Sequence, residues 1–178
     1  MSVEEYLRTE EKSPYKREYV GGFVYPLHGQ AGVSQSHSLI SGNIFAALHR
    51  GARAAGCRVH LADMKLFMDA NGTFYYPDIM LVCGHDAPDR YYETSPCLLV
   101  EVLSGSPASN DRVGKYATYT ALPTLQTYLI VEQAERRVYA YGREGGKWEL
   151  TELAGQGEIP LPCLGRTLTL EEIYAGVL

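Results

Sequence analysis

Tyr75-Tyr76-Pro77-Asp78-Ile79-Met80-Leu81-Val82 and Cys97-Leu98-Leu99-Val100-Glu101-Val102-Leu103 decide how this chain is read. Each is an apolar run that carries one acid. The second run has the composition of a central strand buried on both faces. Glu101 sits in its middle, and a carboxylate there is costly unless a lysine or a metal ion offsets its charge. Asp78 stands at the mouth of the first run, where Pro77 gives way to four core-type residues. If the two strands are neighbours, Asp78 and Glu101 converge at one edge of a sheet. Two hard oxygen ligands in that position favour Mg²⁺ or Mn²⁺.

Outward from these runs the pattern alternates helices and strands. Ser2-Val3-Glu4-Glu5 reads as a capping box opening a short helix that ends near Pro14. Tyr15–Val20 and Phe23–Leu27 flank Gly21-Gly22 and read as a hairpin. Ser34 to Ala55 carries Leu39, Ile40, Phe45 and Leu48 at helical spacing, with Gly56 suited to the position after the helix. Cys57 to Met68 reads as strand, and Asn71-Gly72 as a two-residue hairpin turn. Residues 84–96 read as a loop and Asp111 to Ala121 as a helix stopped by Pro123. Thr127–Val131 reads as a buried strand, Arg137–Tyr141 as an outer strand, and Lys147–Leu153 as its neighbour beyond Gly145-Gly146. Thr169-Leu170-Glu171-Glu172 is a second capping box before a final helix. The sum is an α/β (α+β) chain, a mixed sheet flanked by helices, expected to form a single domain over residues 1–178.

Composition fits that reading. Hydrophobic residues make up 46% and charged residues 21% of 178, ordinary values for a globular protein. No apolar run suffices for a membrane span, and the acidic start, Met1 to Tyr6, does not resemble a secretory signal. A cytoplasmic protein with no membrane partner is expected. Cys57, Cys83, Cys97 and Cys163 are scattered without a C-x-x-C pair, so neither a zinc site nor a disulfide framework is expected. The net charge of −5 counts against tight non-specific nucleic-acid binding and would require a local basic groove.

Pro77-Asp78 followed after a loop by Glu101-Val102-Leu103 resembles the P-D…(D/E)-x-K signature of restriction-endonuclease-like nucleases. Within them the chain is most similar to the Uma-two family. Tyr75–Ile79, Leu99–Ser104, Asp111–Tyr116, Tyr128–Val131, Arg17–Gly22 and His37 carry the likeness, which covers almost the whole chain. It departs at Leu103, where the signature has lysine, and at Ser104-Gly105-Ser106-Pro107, where the family's proline comes sooner. The resemblance implies that Asp78, Glu101 and the Val102 carbonyl bind Mg²⁺ or Mn²⁺. It implies that Lys115 replaces the missing lysine, that Glu18 adds a ligand or orients a water, and that His37 reaches the same cleft. The implied activity is endonucleolytic hydrolysis of nucleic acid, DNA foremost. A homodimer is expected on separate grounds, because outer strands such as Arg137–Tyr141 need covering and two-fold dimers are the commonest assembly.

The residues also admit plainer readings. Asp78 can be a turn residue after Pro77. Lys115 can be a surface partner of Asp111, four residues earlier. Glu18 can be solvated and His37 a capping residue. Tyr116 and Tyr119 can simply pack their helix on the sheet. A two-residue turn at Asn71-Gly72 would set Lys65 opposite Asp78, making it a rival to Lys115. A non-catalytic interaction module, or a metal-dependent hydrolase of another substrate, would share the same fold.

Overall fold

The structure is a computed structural model that describes residues 1–27, 33–104 and 112–178, with Arg112 described by its backbone alone. Ser2 caps α1 (Val3–Glu10), its hydroxyl accepting from the Glu5 N–H at 3.1 Å. The expected hairpin is β1 (Arg17–Val20) and β2 (Phe23–Pro26), turning through Gly21 and Gly22 at φ of +55° and +96°. Ser34 caps α2 (Gln35–Ala54), and Gly56 follows it at φ +70°. Then come β3 (Arg58–Leu61), β4 (Lys65–Met68), β5 (Thr73–Tyr75), β6 (Ile79–Val82), β7 (Tyr92–Glu93) and β8 (Leu98–Val102). The chain continues through α3 (Arg112–Thr120), β9 (Thr127–Val131), β10 (Arg137–Glu144), β11 (Lys147–Ala154), β12 (Glu158–Leu161) and β13 (Arg166–Thr169). α4 (Leu170–Tyr174) starts with a full capping box between Thr169 and Glu172.

These strands build a six-stranded sheet, β11-β10-β9-β8-β6-β3, and a five-stranded sheet, β2-β1-β5-β4-β7, with β12-β13 as a separate ribbon. Both larger sheets are mixed. In the first, β8 and β9 are parallel and joined through α3, while the other pairs are antiparallel. One face of the six-stranded sheet packs Ile79, Leu81, Val100 and Leu129 against Ile40, Ile44 and Leu48 of α2 and Ile173 of α4. The other face packs Met80, Leu99, Tyr128 and Ile130 against Tyr119 of α3 and against Leu66 and Tyr75 of the five-stranded sheet. Tyr6, Tyr19 and Phe74 seal α1 onto that second sheet. Glu101 alternates with Val100 and Val102, so it points into the gap between the sheets and α3.

Five expectations are corrected. Asn71-Gly72 is not a two-residue turn: Asp69–Asn71 forms a 3₁₀ turn, Gly72 takes φ +54°, and Met68 pairs with Thr73. Lys65 therefore does not oppose Asp78. It pairs with Tyr92 of β7, and Pro77, which has no N–H to offer a ladder, separates β5 from β6 and sends Asp78 to the other sheet. The 84–96 segment is not all loop, because β7 adds to β4, a tertiary pairing that two residues cannot signal by periodicity. Arg137–Tyr141 is not an outer strand; β11 covers β10 along all eight residues. Finally, the cysteines are paired, Cys57 with Cys83 and Cys97 with Cys163. Pairing of β3 with β6, and packing of the Pro162–Leu164 turn beside β8, bring the partners to Cα separations of 4.4 and 6.3 Å, within bridging range, although they are 26 and 66 residues apart in sequence. No helix among the described residues is long and apolar enough to cross a membrane.

Candidate functional site

β6 and β8 run antiparallel with Ile79 opposite Val100 and Leu81 opposite Leu98. One step further, the same register sets Asp78 opposite Glu101, with both side chains on one face. Sequence alone required the strands to be neighbours for this, and they are. The backbone N–H of Val102 donates to Asp78 Oδ2 at 2.7 Å, which fixes the aspartate at the sheet edge. His37, in the first turn of α2, brings Nε2 to 3.5 Å from the same oxygen.

Glu101 is held from the other side. Lys115 Nζ lies 3.1 Å from Glu101 Oε1, and the Tyr119 hydroxyl donates to that oxygen at 2.7 Å. Lys115 and Tyr119 are four residues apart on α3 and so share a helix face. The Lys115 ammonium also reaches Glu18 Oε1 at 3.4 Å and stands 5.3 Å from the centre of the Tyr75 ring. Glu18 in turn accepts from the Tyr76 N–H at 3.5 Å. β1, β6, β8, α2 and α3 thus each bring one of Glu18, Asp78, Glu101, His37 and Lys115 to the site, Asp78 from the residue just before β6. The site residues expected from the sequence are brought together. Lys65 is not among them: it is 8% exposed and lies 5.6 Å from the Tyr76 ring centre and 5.9 Å from that of Tyr91. Asp111, Lys115's alternative partner, falls outside the described residues.

Sequence reading gave Tyr119 only a packing role. Its ring does pack, edge-on to Tyr75 and Tyr128, but its hydroxyl also serves Glu101. The i, i+4 spacing from Lys115 was the available signal.

Electrostatics follow from crowding. Burial drives the Glu101 carboxyl up to about 7, with Asp78 and Glu18 adding to the rise and Lys115 and Tyr119 opposing it. For Lys115, burial alone would favour the neutral amine, but Glu101 and Glu18 outweigh it and the pKa is raised. Burial, reinforced by Glu101, puts the Tyr119 phenol well above its usual value. The hydrogen bond to Asp78 raises His37 against the opposing effect of burial, and a backbone hydrogen bond with Val102 adds to it.

The donor set suits a hard divalent cation. Asp78 and Glu101 each engage protein donors through one oxygen, Oδ2 and Oε1. Asp78 Oδ1 and Glu101 Oε2 have no hydrogen-bond or ion-pair partner among the described residues, and the two carboxylates repel each other. A cation between them would relieve that repulsion without displacing Lys115 or Tyr119.

Comparisons place the chain as a whole. A solved structure from Anabaena variabilis, described as "a putative nuclease belonging to DUF820", superposes with a TM-score of 0.73, covering 100% of this chain and 99% of its own, at 17% identity. That likeness defines the fold class, a restriction-endonuclease-like mixed sheet with flanking helices. The family model described as "Uma2: Putative restriction endonuclease" matches residues 3–171. Two Synechocystis proteins are similar over most of their length. "Uncharacterized protein slr1290" is 30% identical over 179 residues, 99% of this chain and 93% of the relative. "Uncharacterized protein sll1609" is 31% identical over 160 residues, 88% and 89%. The chain belongs to the Uma2 family.

Proposed function

We propose that this chain is a Mg²⁺- or Mn²⁺-dependent endonuclease that hydrolyses phosphodiester bonds of nucleic acid, with DNA the first substrate to test. The observation that carries the reading is the meeting of Asp78 and Glu101 on one sheet edge with Lys115 3.1 Å from Glu101. Asp78, Glu101 and the Val102 carbonyl would hold the ion. When bound, it would neutralise charge building on the phosphate and make a nearby water more acidic. Lys115 takes the place that Leu103 cannot fill: its ammonium faces the same gap and orients the attacking water or balances the phosphate. Tyr119 fixes the Glu101 carboxylate, and Glu18 fixes Lys115 from the opposite side. His37 holds its proton against Asp78 Oδ2 and so positions that carboxylate.

A second reading has an observation of its own. The Lys115–Glu101 pair is already closed, as it would be in a binding module that keeps the fold without catalysis. One experiment separates the two. Mn²⁺ and Mg²⁺ are titrated by calorimetry into the wild type and into Glu101→Gln, and single- and double-stranded DNA and RNA are incubated with each. The nuclease reading expects binding and cleavage that both vanish in the variant. No binding of either ion at millimolar concentration would remove it. Binding without cleavage of any nucleic acid would favour a hydrolase of another substrate.

A further inference from the structure

The strands that carry the two acids carry cysteines at their other ends. Cys83 follows β6 and Cys97 precedes β8, while Cys57 precedes β3 and Cys163 lies in the 3₁₀ turn Pro162–Leu164. Cys83 stands five residues beyond Asp78, roughly 16 Å along an extended strand. Two independent disulfides would need only that each sulfur meet its own partner. Here the Sγ atoms of Cys83, Cys97 and Cys163, which belong to both bridges, all lie within 4.8 Å of one another, and Cys57 is bonded to Cys83. Three segments distant in sequence thus deliver their sulfurs to one point, and Cys57 adjoins that point through its bond to Cys83.

That spacing suits a thiophilic metal. A tetrahedral zinc thiolate has Zn–S bonds of about 2.3 Å, which sets its sulfurs roughly 3.8 Å apart. With the S–S bonds opened, Cys83, Cys97 and Cys163 lie near that spacing, and Cys57, next to Cys83, would complete the set. The surroundings point the same way. Cys57 and Cys97 are buried within the apolar core beside Leu98, and Cys83 and Cys163 pack against that core half-buried. Apolar surroundings disfavour free thiolates, so the reduced thiols stay protonated unless a cation replaces the protons. Sulfur ligands select zinc over Mg²⁺, so this site and the carboxylates at the other sheet edge would not compete for the same ion.

We infer that the reduced chain holds one Zn²⁺ on Cys57, Cys83, Cys97 and Cys163, and that the disulfide and metal-bound forms exclude each other. A dithiol opens the bridges: two dithiols become two cyclic disulfides as Cys57–Cys83 and Cys97–Cys163 become four thiols. Zn²⁺ then binds the four sulfurs and releases their four protons to solvent. The ion ties β3, β6, β8 and the 162–164 turn together where the disulfides did. The inference is independent of the nuclease reading.

Co²⁺ reports on the site because it takes the same geometry and absorbs visibly. The full chain is reduced with a dithiol under anaerobic conditions, freed of reductant and titrated with Co²⁺, in wild type and in Asp78→Ala, which weakens binding at the acids. The expected result is a thiolate-to-cobalt charge-transfer band saturating at one equivalent in both, bleached by one equivalent of Zn²⁺ and absent from the oxidised protein. Cys57→Ser should lower the band without removing binding; Cys97→Ser should abolish it. Zn²⁺ should also slow alkylation of the thiols. A reduced chain that stays folded yet shows neither the band nor protection overturns the inference. So does a reduced chain that unfolds and is not refolded by Zn²⁺.

Discussion

Lys115 and Glu101 meet at 3.1 Å across the gap between α3 and β8. The ammonium is 20% and the carboxylate 14% exposed, so each relies on protein partners in place of water. Lys115 also answers Glu18, so one cation balances two acids while Asp78 adds a third.

Removing that cation should therefore have a pH-dependent cost. Lys115→Met leaves Glu101 without its counter-charge, and its pKa should climb further. Near pH 5 Glu101 can take up a proton and the loss of stability should be small. Near pH 8 Glu101 must either stay ionised without its partner or hold a proton that the unfolded chain has long released, and the cost should grow toward the roughly 3–5 kcal/mol typical of breaking a buried pair. Urea melts of wild type and variant at the two pH values measure this. An equal loss at both would mean that Glu101 does not respond to Lys115. On the proposed function, nuclease rate should also fall about a hundredfold or more.

Glu101 sets a pH profile of its own. Its pKa is about 7 in the folded chain against 4.5 ordinarily. The folded state therefore keeps a proton that the unfolded state has lost between these values, and stability without metal should decline as pH rises from 4.5 to 7 and then level off. Metal binding needs the ionised form, so affinity for Mn²⁺ should rise about tenfold per pH unit up to about 7 and then flatten. Calorimetric titrations from pH 5 to 9 test this, with a flat profile as the contrary result.

Tyr119→Phe keeps the ring, packed at 5.7 Å from Tyr75 and 5.1 Å from Tyr128, and deletes only the donor to Glu101. The expected loss is about 1–3 kcal/mol, the range for a hydrogen bond to a charged group. The pH at which metal affinity levels off should move upward. Thermal melts and the same titration suffice, and an unmoved midpoint would return Tyr119 to packing alone.

His37 should report on Asp78. With Asp78→Asn the hydrogen bond and ion pair that raise the imidazole pKa weaken, and it should fall. Because the folded pKa lies above the unfolded 6.5, the stability this contributes is complete below pH 6.5 and lost as pH rises through the folded value. Wild type and variant should differ most in acid. Proton NMR titration of His37 gives the pKa directly, and an unchanged value would mean the contact does not govern it.

The sequence alone determined what was local. Gly21, Gly22 and Gly56 take positive φ because their neighbours must turn, Ser2, Ser34 and Thr169 cap helices through their own hydroxyls, and the apolar runs around Asp78 and Glu101 announced strands with costly acids. It also brought forward Glu18, His37 and Lys115, though only through resemblance. Tertiary structure decided everything that depends on register. A one-residue slip turns a side chain to the other face of its strand, and no local signal reveals which turn length will form. Thus Lys65 was a fair rival until the 3₁₀ turn at Asp69–Asn71 moved it away from Asp78. Tyr119 became a donor to Glu101 only when α3 docked over β8, and the cysteines met their partners only when β3, β6, β8 and the 162–164 turn were assembled. Composition and periodicity record burial, but the pairing of distant segments is fixed by the fold as a whole.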